Sequence, residues 1–362
     1  MIGRTTRSEE EVLEAIERRR RRPHVKLMDE RITLSHGAGG RSSHVLIETV
    51  FARAFDNPAL AELGDAAVVD AGGAPLAIST DTYVVRPLDF PGGDIGSLAV
   101  HGTINDLAVS GARPCFLALG VVLEEGLPVS DLQRYVASMA QAAAGAGVAI
   151  VTGDTKVVER GKADGLYVST TGIGVREGHR LSPMAIRPGD RVLCSGTIGD
   201  HGMAIMVARG GLELEADLRS DSAPLHELAG TLRAAAGENL RCMSDPTRGG
   251  VATVLNELAM SAEVAIVLDE ASIPVRPAVA GACEILGIDP LYVANEGKLL
   301  AVVAPEAEAE ALAALRAHPL GTDAAVVGEV RAEPPGMVVL ETSFGGSRVV
   351  DMLAGDPLPR IC

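Results

Sequence analysis

Apolar and polar positions follow two rhythms along this chain, and each change of rhythm marks an element. "AAVVDAGGAPLAIST" holds two apolar runs, Ala66–Val69 and Pro75–Ser79, split by an Ala-Gly-Gly turn, and predicts a hairpin. "DIGSLAVHGTINDLAVSGARP" has helical spacing, with Gly111 placed as a C-cap and Pro114 as a stop. "CFLALGVVL" predicts a buried strand. The capping-box pattern Ser130–Gln133 then opens a helix that runs out in "AGAG". "VAIVTGDTKVV" and "LYVSTTGIGV" add two strands, so this half reads as a sheet with helices laid over it.

A second unit opens at "RPGDRVLCSGTIGDHGMAIMVARGG", in the order turn, strand, glycine-rich loop, helix. "CMSDPTRGGVATVLNELAMSA" repeats strand, glycine-rich turn and helix, although no sequence repeat relates the two units. These orders predict an α/β (α+β) chain with a boundary near residue 185. The N-terminal domain covers 31–185, the C-terminal α/β domain 186–346, and a flexible tail 347–362. The tail shows little periodicity and contains Gly355, Pro357 and Pro359. Residues 1–30, with "EEEVLEAIERRRRRP", form a charged extension: a short solvated helix or lead-in, or an anionic docking patch.

Composition narrows the class. The chain's 362 residues suffice for two cores, and with aromatics at 2% those cores rest on Ala, Val, Leu and Ile. Lys and Arg total 32 against 48 Asp and Glu, a formal charge of -16. Such a field repels phosphate backbones and anionic lipid, so neither nucleic acid nor membrane is an expected partner. No apolar run approaches the ~20 residues of a membrane span, and the N-terminus lacks a signal peptide's apolar centre. Five cysteines (115, 194, 242, 283 and 362) form no C-x-x-C pair, which suits a reducing cytoplasm better than disulfides or structural zinc.

The informative chemistry is a set of aspartates at the ends of apolar runs, each beside small residues: Asp65, Asp81, Asp106, Asp154 and Asp245. Singly, each suits a turn or a helix N-cap. Together, among Gly, Ser and Thr, they can supply oxygen ligands to a hard cation that shares nucleotide phosphates. "SGTIGDHG" and "DPTRGG" (with Arg248 and Gly249) precede helices whose first N–H groups favour anions. "HGAGG", containing Gly37 and Gly39, closes over phosphates or makes a tight turn. His101 and Asn105 are four apart and share a helix face. Lys156 follows Asp154 by two, and Glu296 sits between apolar runs.

Read together, "LSHGAGG", "GDAAVVD", "STDTYVVRPLDFPGGDIGSLAVHGTINDLAVSGARP", "VTGDTKVV", "SDPTRGGVATVLNE", "NEGKLL" and the terminal "PRIC" resemble the HypE family of hydrogenase maturation proteins. The resemblance runs from about residue 31 to the end. It implies the two-domain architecture of the aminoimidazole ribonucleotide synthetase-like superfamily. It further implies a homodimer paired through its N-terminal domains, with ATP near the interface. In that family a HypF-like carbamoyltransferase loads a carbamoyl group onto the terminal cysteine. ATP then drives its dehydration to a thiocyanate, and the cyanide passes to a HypC–HypD complex for the iron of [NiFe] hydrogenase.

Carried onto this sequence, the resemblance makes Cys362 the carrier and Asp65, Asp81, Asp106 and Asp154 ligands of Mg²⁺. Gly37, Gly39, Asn105, Asp245, Arg248 and Gly249 fall to the nucleotide. Lys156 steadies charge on the transferring group, Glu296 takes the proton, and His101 orients or relays it. The sixteen residues from Ser347 to Cys362 span roughly 50 Å when extended, enough to serve two proteins. A selenophosphate synthetase-like enzyme would show a reactive Cys and a Lys in "LSHGAGGRSS", which has neither. A thiamine phosphate kinase-like enzyme gives the last cysteine no task, and a non-catalytic thiol carrier has no use for the carboxylates.

Overall fold

The computed structural model describes residues 29–362, apart from 56, 58, 61–63, 211–216, 354, 356–357 and 359. The charged extension up to residue 28 lies outside the described residues. The hairpin forms as β1 (Ala67–Asp70) and β2 (Pro75–Tyr83), antiparallel, with Asp70 opposite Pro75. With β5 (Ala112–Glu124), β6 (Ala149–Val158) and β7 (Leu166–Arg176) they make a five-stranded sheet in the order β1-β2-β7-β5-β6. Only β5 and β6 run parallel, because the helix Val129–Gly145 crosses between them. A short pair, β3 (Asp89–Phe90) and β4 (Gly93–Asp94), leads into the helix Ile95–Val109.

That helix starts in a reciprocal capping box. Asp94 accepts from the Ser97 amide at 2.9 Å, and Ser97 Oγ accepts from the Asp94 amide at 3.1 Å. It is apolar nearly all round, which fits its place between the sheet and the second unit. It comes so close to β7 that a Cβ on Gly172 would meet Thr103 at 2.7 Å. This approach brings Asp106, on the same helix, up to Ser79 of β2.

The second sheet contains β8 (Arg191–Cys194), β9 (Leu240–Ser244), β10 (Ala265–Asp269), β11 (Leu300–Val303), β12 (Ala325–Arg331), β13 (Met337–Glu341) and β14 (Ser347–Val350). Their order is β14-β13-β10-β12-β8-β11-β9. The central strands are apolar on both faces because helices cover both faces. Val192 and Cys194 join the core under the helix Gly250–Ala262, while Leu193 joins the core under His226–Ala236 and Glu308–Ala317.

Three local expectations are corrected. The stretch "CFLALGVVL" is not wholly buried: Phe116 is 49% exposed and faces Ile173, also exposed, across β5 and β7. The helix expected to open at Ser130 opens at Val129, with Pro128 as its N-cap and no side-chain cap bond. Proline's fixed φ sets the chain's approach one residue early and leaves Ser130 inside the first turn. The region read as a flexible tail is packed. Its start is β14, antiparallel to β13, and its end is buried at Leu358, Ile361 and Cys362. The backbone beyond β2 supplies the reason, since the Val84 amide donates to a main-chain carboxylate oxygen of Cys362 at 3.1 Å and the Arg86 amide to the Arg360 carbonyl at 3.2 Å.

Candidate active site

The junction between the two sheets gathers carboxylates. Asp65 lies just before β1, Asp106 on the Ile95–Val109 helix and Asp245 just after β9; their ligand oxygens all lie within 4.8 Å of one another. Asp65 accepts from Ser244 Oγ at 2.9 Å, and Asp106 accepts from Ser79 Oγ. Asp81, on β2, accepts from Thr103 Oγ1 and the Tyr83 hydroxyl, each at 3.2 Å. Asp245 Oδ2 is buried without a protein partner.

These groups repel one another. Burial, then Asp81 and its neighbours, pushes Asp106 well above the usual carboxylate range; burial, then Asp65 and Asp81, does the same to Asp245. Desolvation of its carboxyl against the neighbouring acids carries Asp65 up to about 6, although the residue as a whole is exposed and Ser244 pulls the other way. Crowded carboxylates with an orphaned buried oxygen are a donor set for a hard cation, so the residues fit Mg²⁺.

The structure does not bring every candidate into this cluster. Asp154 and Lys156 stand on one face of β6, paired to each other at 2.6 Å and largely exposed. They line a shallow cavity of about 180 Å³ with Thr82, Gly120, Tyr167 and Ser169. Asp154 is therefore apart from the other expected metal ligands, while Asp245, which the sequence places in the carboxylate set and at the nucleotide but not among the preferred ligands, is among them. Asn105 is likewise not open to a nucleotide. Its amide donates to the carbonyls of Ala223 and Glu296 at 3.1 and 3.0 Å and accepts from the Leu225 amide at 2.7 Å. His101, one turn earlier, bonds Ser222 Oγ at 3.0 Å rather than Glu296; burial carries its ring down to about 4 and keeps it neutral.

Glu296 is 3% exposed, in the turn before β11. Burial, then Asp245 and Asp221, pushes its carboxyl well up, and Arg248 draws it back. Asp221 fixes the turn by accepting from the Glu296 and Gly297 amides at 3.1 and 3.3 Å and pairing with Lys298 at 3.2 Å. A Cβ on Gly297 would meet the Asp221 carbonyl oxygen at 1.8 Å, so the approach requires glycine.

The two glycine-rich stretches meet as well. Arg248 Nη1 donates to the Gly37 carbonyl at 3.1 Å, and a Cβ on Gly39 would meet Arg248 at 2.6 Å. Gly37, Val84, Arg248, Gly249, Arg360 and Cys362 are among the residues lining a second cavity of about 180 Å³. Charge at Cys362 first, then Asp81 and Glu296, raises the proton affinity of the Arg248 guanidinium.

The models of AIR synthase related proteins match both halves, the N-terminal domain over residues 63–176 and the C-terminal domain over 187–341. Carbamoyl dehydratase HypE of Rhizobium leguminosarum bv. viciae is 55% identical over 333 residues, covering 92% of this chain and 95% of that protein. The chain belongs to the HypE family of carbamoyl dehydratases. A crystal structure of a HypE–HypF complex superposes with a TM-score of 0.81 at 48% identity, over 85% of this chain and 99% of that one. HypE crystallised in complex with ATP gives 0.77 at 50% identity, over 92% and 100%. The two-domain architecture expected from the resemblance is the one found.

In this HypE-family chain the sequence reading missed Ser79, Tyr83, Asp221 and Ser244. Asp221 and its neighbours in "RSDSAP" carry only turn chemistry in sequence. Ser79 and Ser244 sit inside strand patterns, and the aspartates they serve are far along the chain.

Proposed function

We propose that this chain uses ATP to dehydrate a carbamoyl group carried on its own Cys362 to a thiocyanate, supplying cyanide ligands for hydrogenase iron. The observation that carries this reading is the place of the last residue. Cys362 lines a cavity with Gly37, Arg248 and Gly249, and Arg248 responds to both Cys362 and Glu296. The ATP complex of one HypE relative supports ATP as co-substrate, and the HypE–HypF complex supports a HypF-like carbamoyltransferase as donor. A HypC–HypD complex as recipient belongs to the same proposal.

Going from S–CO–NH₂ to S–C≡N removes one oxygen and two N–H protons. ATP supplies the phosphoryl group with which that oxygen departs as phosphate. Asp65, Asp106 and Asp245, with Asp81 beside them, would hold Mg²⁺, whose charge offsets that of the phosphates. Glu296 would act as the base, and the raised proton affinity that burial gives it supports that role. Arg248 opposes negative charge on the oxygen being lost.

A homodimer is part of the proposal. The edge strand β6 is exposed along almost its whole length, with Val151 and Val157 at 59% and 67%. Pairing with a second copy would cover these side chains and set Asp154 and Lys156 at the interface. The cytoplasm is the proposed compartment: five thiols suit it, and no helix among the described residues is long and apolar enough to cross a membrane.

Incubation with a HypF-like carbamoyltransferase, carbamoyl phosphate and ATP, followed by the mass of the C-terminal peptide, tests the reading. A carbamoyl adduct that then loses one water while ATP is consumed supports it. A lasting adduct with ATP intact would leave only a carrier, and no adduct would remove Cys362 from the reaction.

A further inference from the structure

His201, the second residue of the helix Asp200–Ala208, has no part in the chemistry above, yet its ring is fully buried and doubly bonded. Nε2 lies 2.6 Å from the Ile361 carbonyl oxygen, and Nδ1 lies 2.8 Å from Ser220 Oγ. A carbonyl can only accept, so Nε2 carries the hydrogen and Nδ1 accepts from the serine hydroxyl. Burial pushes the ring's pKa down, against Asp221 and the Ile361 carbonyl, which keeps Nδ1 available as an acceptor. Phe90 meets the ring edge-on at 5.6 Å, and Ser220 is itself tied by its amide to the Pro91 carbonyl at 2.8 Å. The ring is therefore held in one orientation and one tautomer.

The bond it makes lies between those made by the neighbouring main-chain oxygens at the tail's end. The Arg360 carbonyl and a main-chain carboxylate oxygen of Cys362 accept from the main chain beyond β2, and the Ile361 carbonyl accepts from His201. The same strap reaches the base: Ser220 holds His201, and its neighbour Asp221 holds the Glu296 turn.

We propose that His201 is a positioning residue that seats the tail, its Nε2–H holding the Ile361 carbonyl so that the Cys362 sulfur stays in the cavity beside Arg248. Its importance to the reaction rests on the function proposed above, but the seat itself does not. Thiol labelling therefore tests it independently of any carbamoyl chemistry. The full-length protein is treated with iodoacetamide, and labelling of each cysteine is followed by peptide mass spectrometry. His201→Phe keeps a flat ring without a donor, and His201→Gln restores an N–H.

His201→Phe is expected to label Cys362 about tenfold faster, the scale of one lost buried hydrogen bond. His201→Gln should stay within about threefold of wild type. Half-exposed Cys115 should react at one rate throughout, and buried Cys242 and Cys283 should stay unlabelled. An unchanged Cys362 rate in His201→Phe overturns the proposal, as does equal acceleration by Phe and Gln, which would indicate packing alone. If Cys242 becomes labelled in His201→Phe, the fold has changed and Ser220→Ala decides. Faster Cys362 labelling there supports the seat, and an unchanged rate overturns it. If labelling behaves as expected while no thiocyanate forms in the carbamoylation assay, the seat stands and the proposed chemistry falls.

Discussion

Asn105, in the first unit, donates at 3.0 Å to the main-chain carbonyl of Glu296, in the second. Its other amide bonds go to Ala223 and Leu225, so one side chain ties the carboxylate-bearing helix to the turn that carries the proposed base. Asn105→Ala leaves two carbonyls and an amide without that partner. The expected cost is on the order of 1–3 kcal/mol for each buried group left unpaired. Scanning fluorimetry should show a melting point lower by several degrees, and dehydration should slow more than carbamoyl loading. A melting point equal to wild type would show that the junction does not depend on this residue.

Glu296→Gln separates chemistry from folding. A positioned base contributes typically ~10²–10⁴-fold, so dehydration should fall by about that factor while the carbamoyl adduct accumulates on Cys362. Stability should hold or rise, because a neutral amide relieves a buried site crowded by Asp245, Asp221 and Asp81. Full thiocyanate formation by this variant would dismiss Glu296 as the base.

Mg²⁺ and pH should act on the carboxylate cluster in opposite senses. The folded-state value of Asp65, about 6, exceeds its ordinary 3.8, and Asp106 and Asp245 shift the same way. The stability Asp65 contributes is therefore complete below about pH 4 and disappears as pH rises through about 6. Above that pH the charged cluster favours a cation; below it, protons compete. The rise in melting point on adding Mg²⁺ should be larger at pH 7.5 than at pH 5.5. Asp245→Asn should raise the metal-free melting point at pH 7.5 and largely abolish the Mg²⁺ increment. Equal increments at both pH values would remove these residues from metal binding.

The β6 edge makes the dimer testable. Val151→Asp places a charge on an exposed strand and should leave the monomer's melting point nearly unchanged, as surface substitutions do. Light scattering should then report half the wild-type mass, with slower ATP-dependent turnover. A dimer that survives the substitution would place the interface elsewhere.

Much of this was legible where local pattern decides. The hairpin around Ala71–Ala74 follows from two apolar runs and a glycine turn. The two strand, glycine loop and helix orders follow from punctuation in the sequence. Patterns could not separate Asp154 from Asp245, since each is an aspartate closing an apolar run. Both β6 and β9 are edge strands, and what lies opposite separates the two aspartates: Asp154 faces solvent, whereas the end of β9 faces Asp65. Nor could they show the tail's docking, which rests on amides of Val84 and Arg86, far back in the first unit. At Pro128, backbone restriction outweighed the capping pattern beginning at Ser130.

The tail is gripped at the main-chain oxygens of Arg360, Ile361 and Cys362 and at the Arg360 guanidinium, which pairs with Asp164 and donates to the Val84 carbonyl. On the function proposed above, a berth built on these groups keeps one register whatever the sulfur carries. Release of finished cargo then falls to a recipient that competes for the same groups.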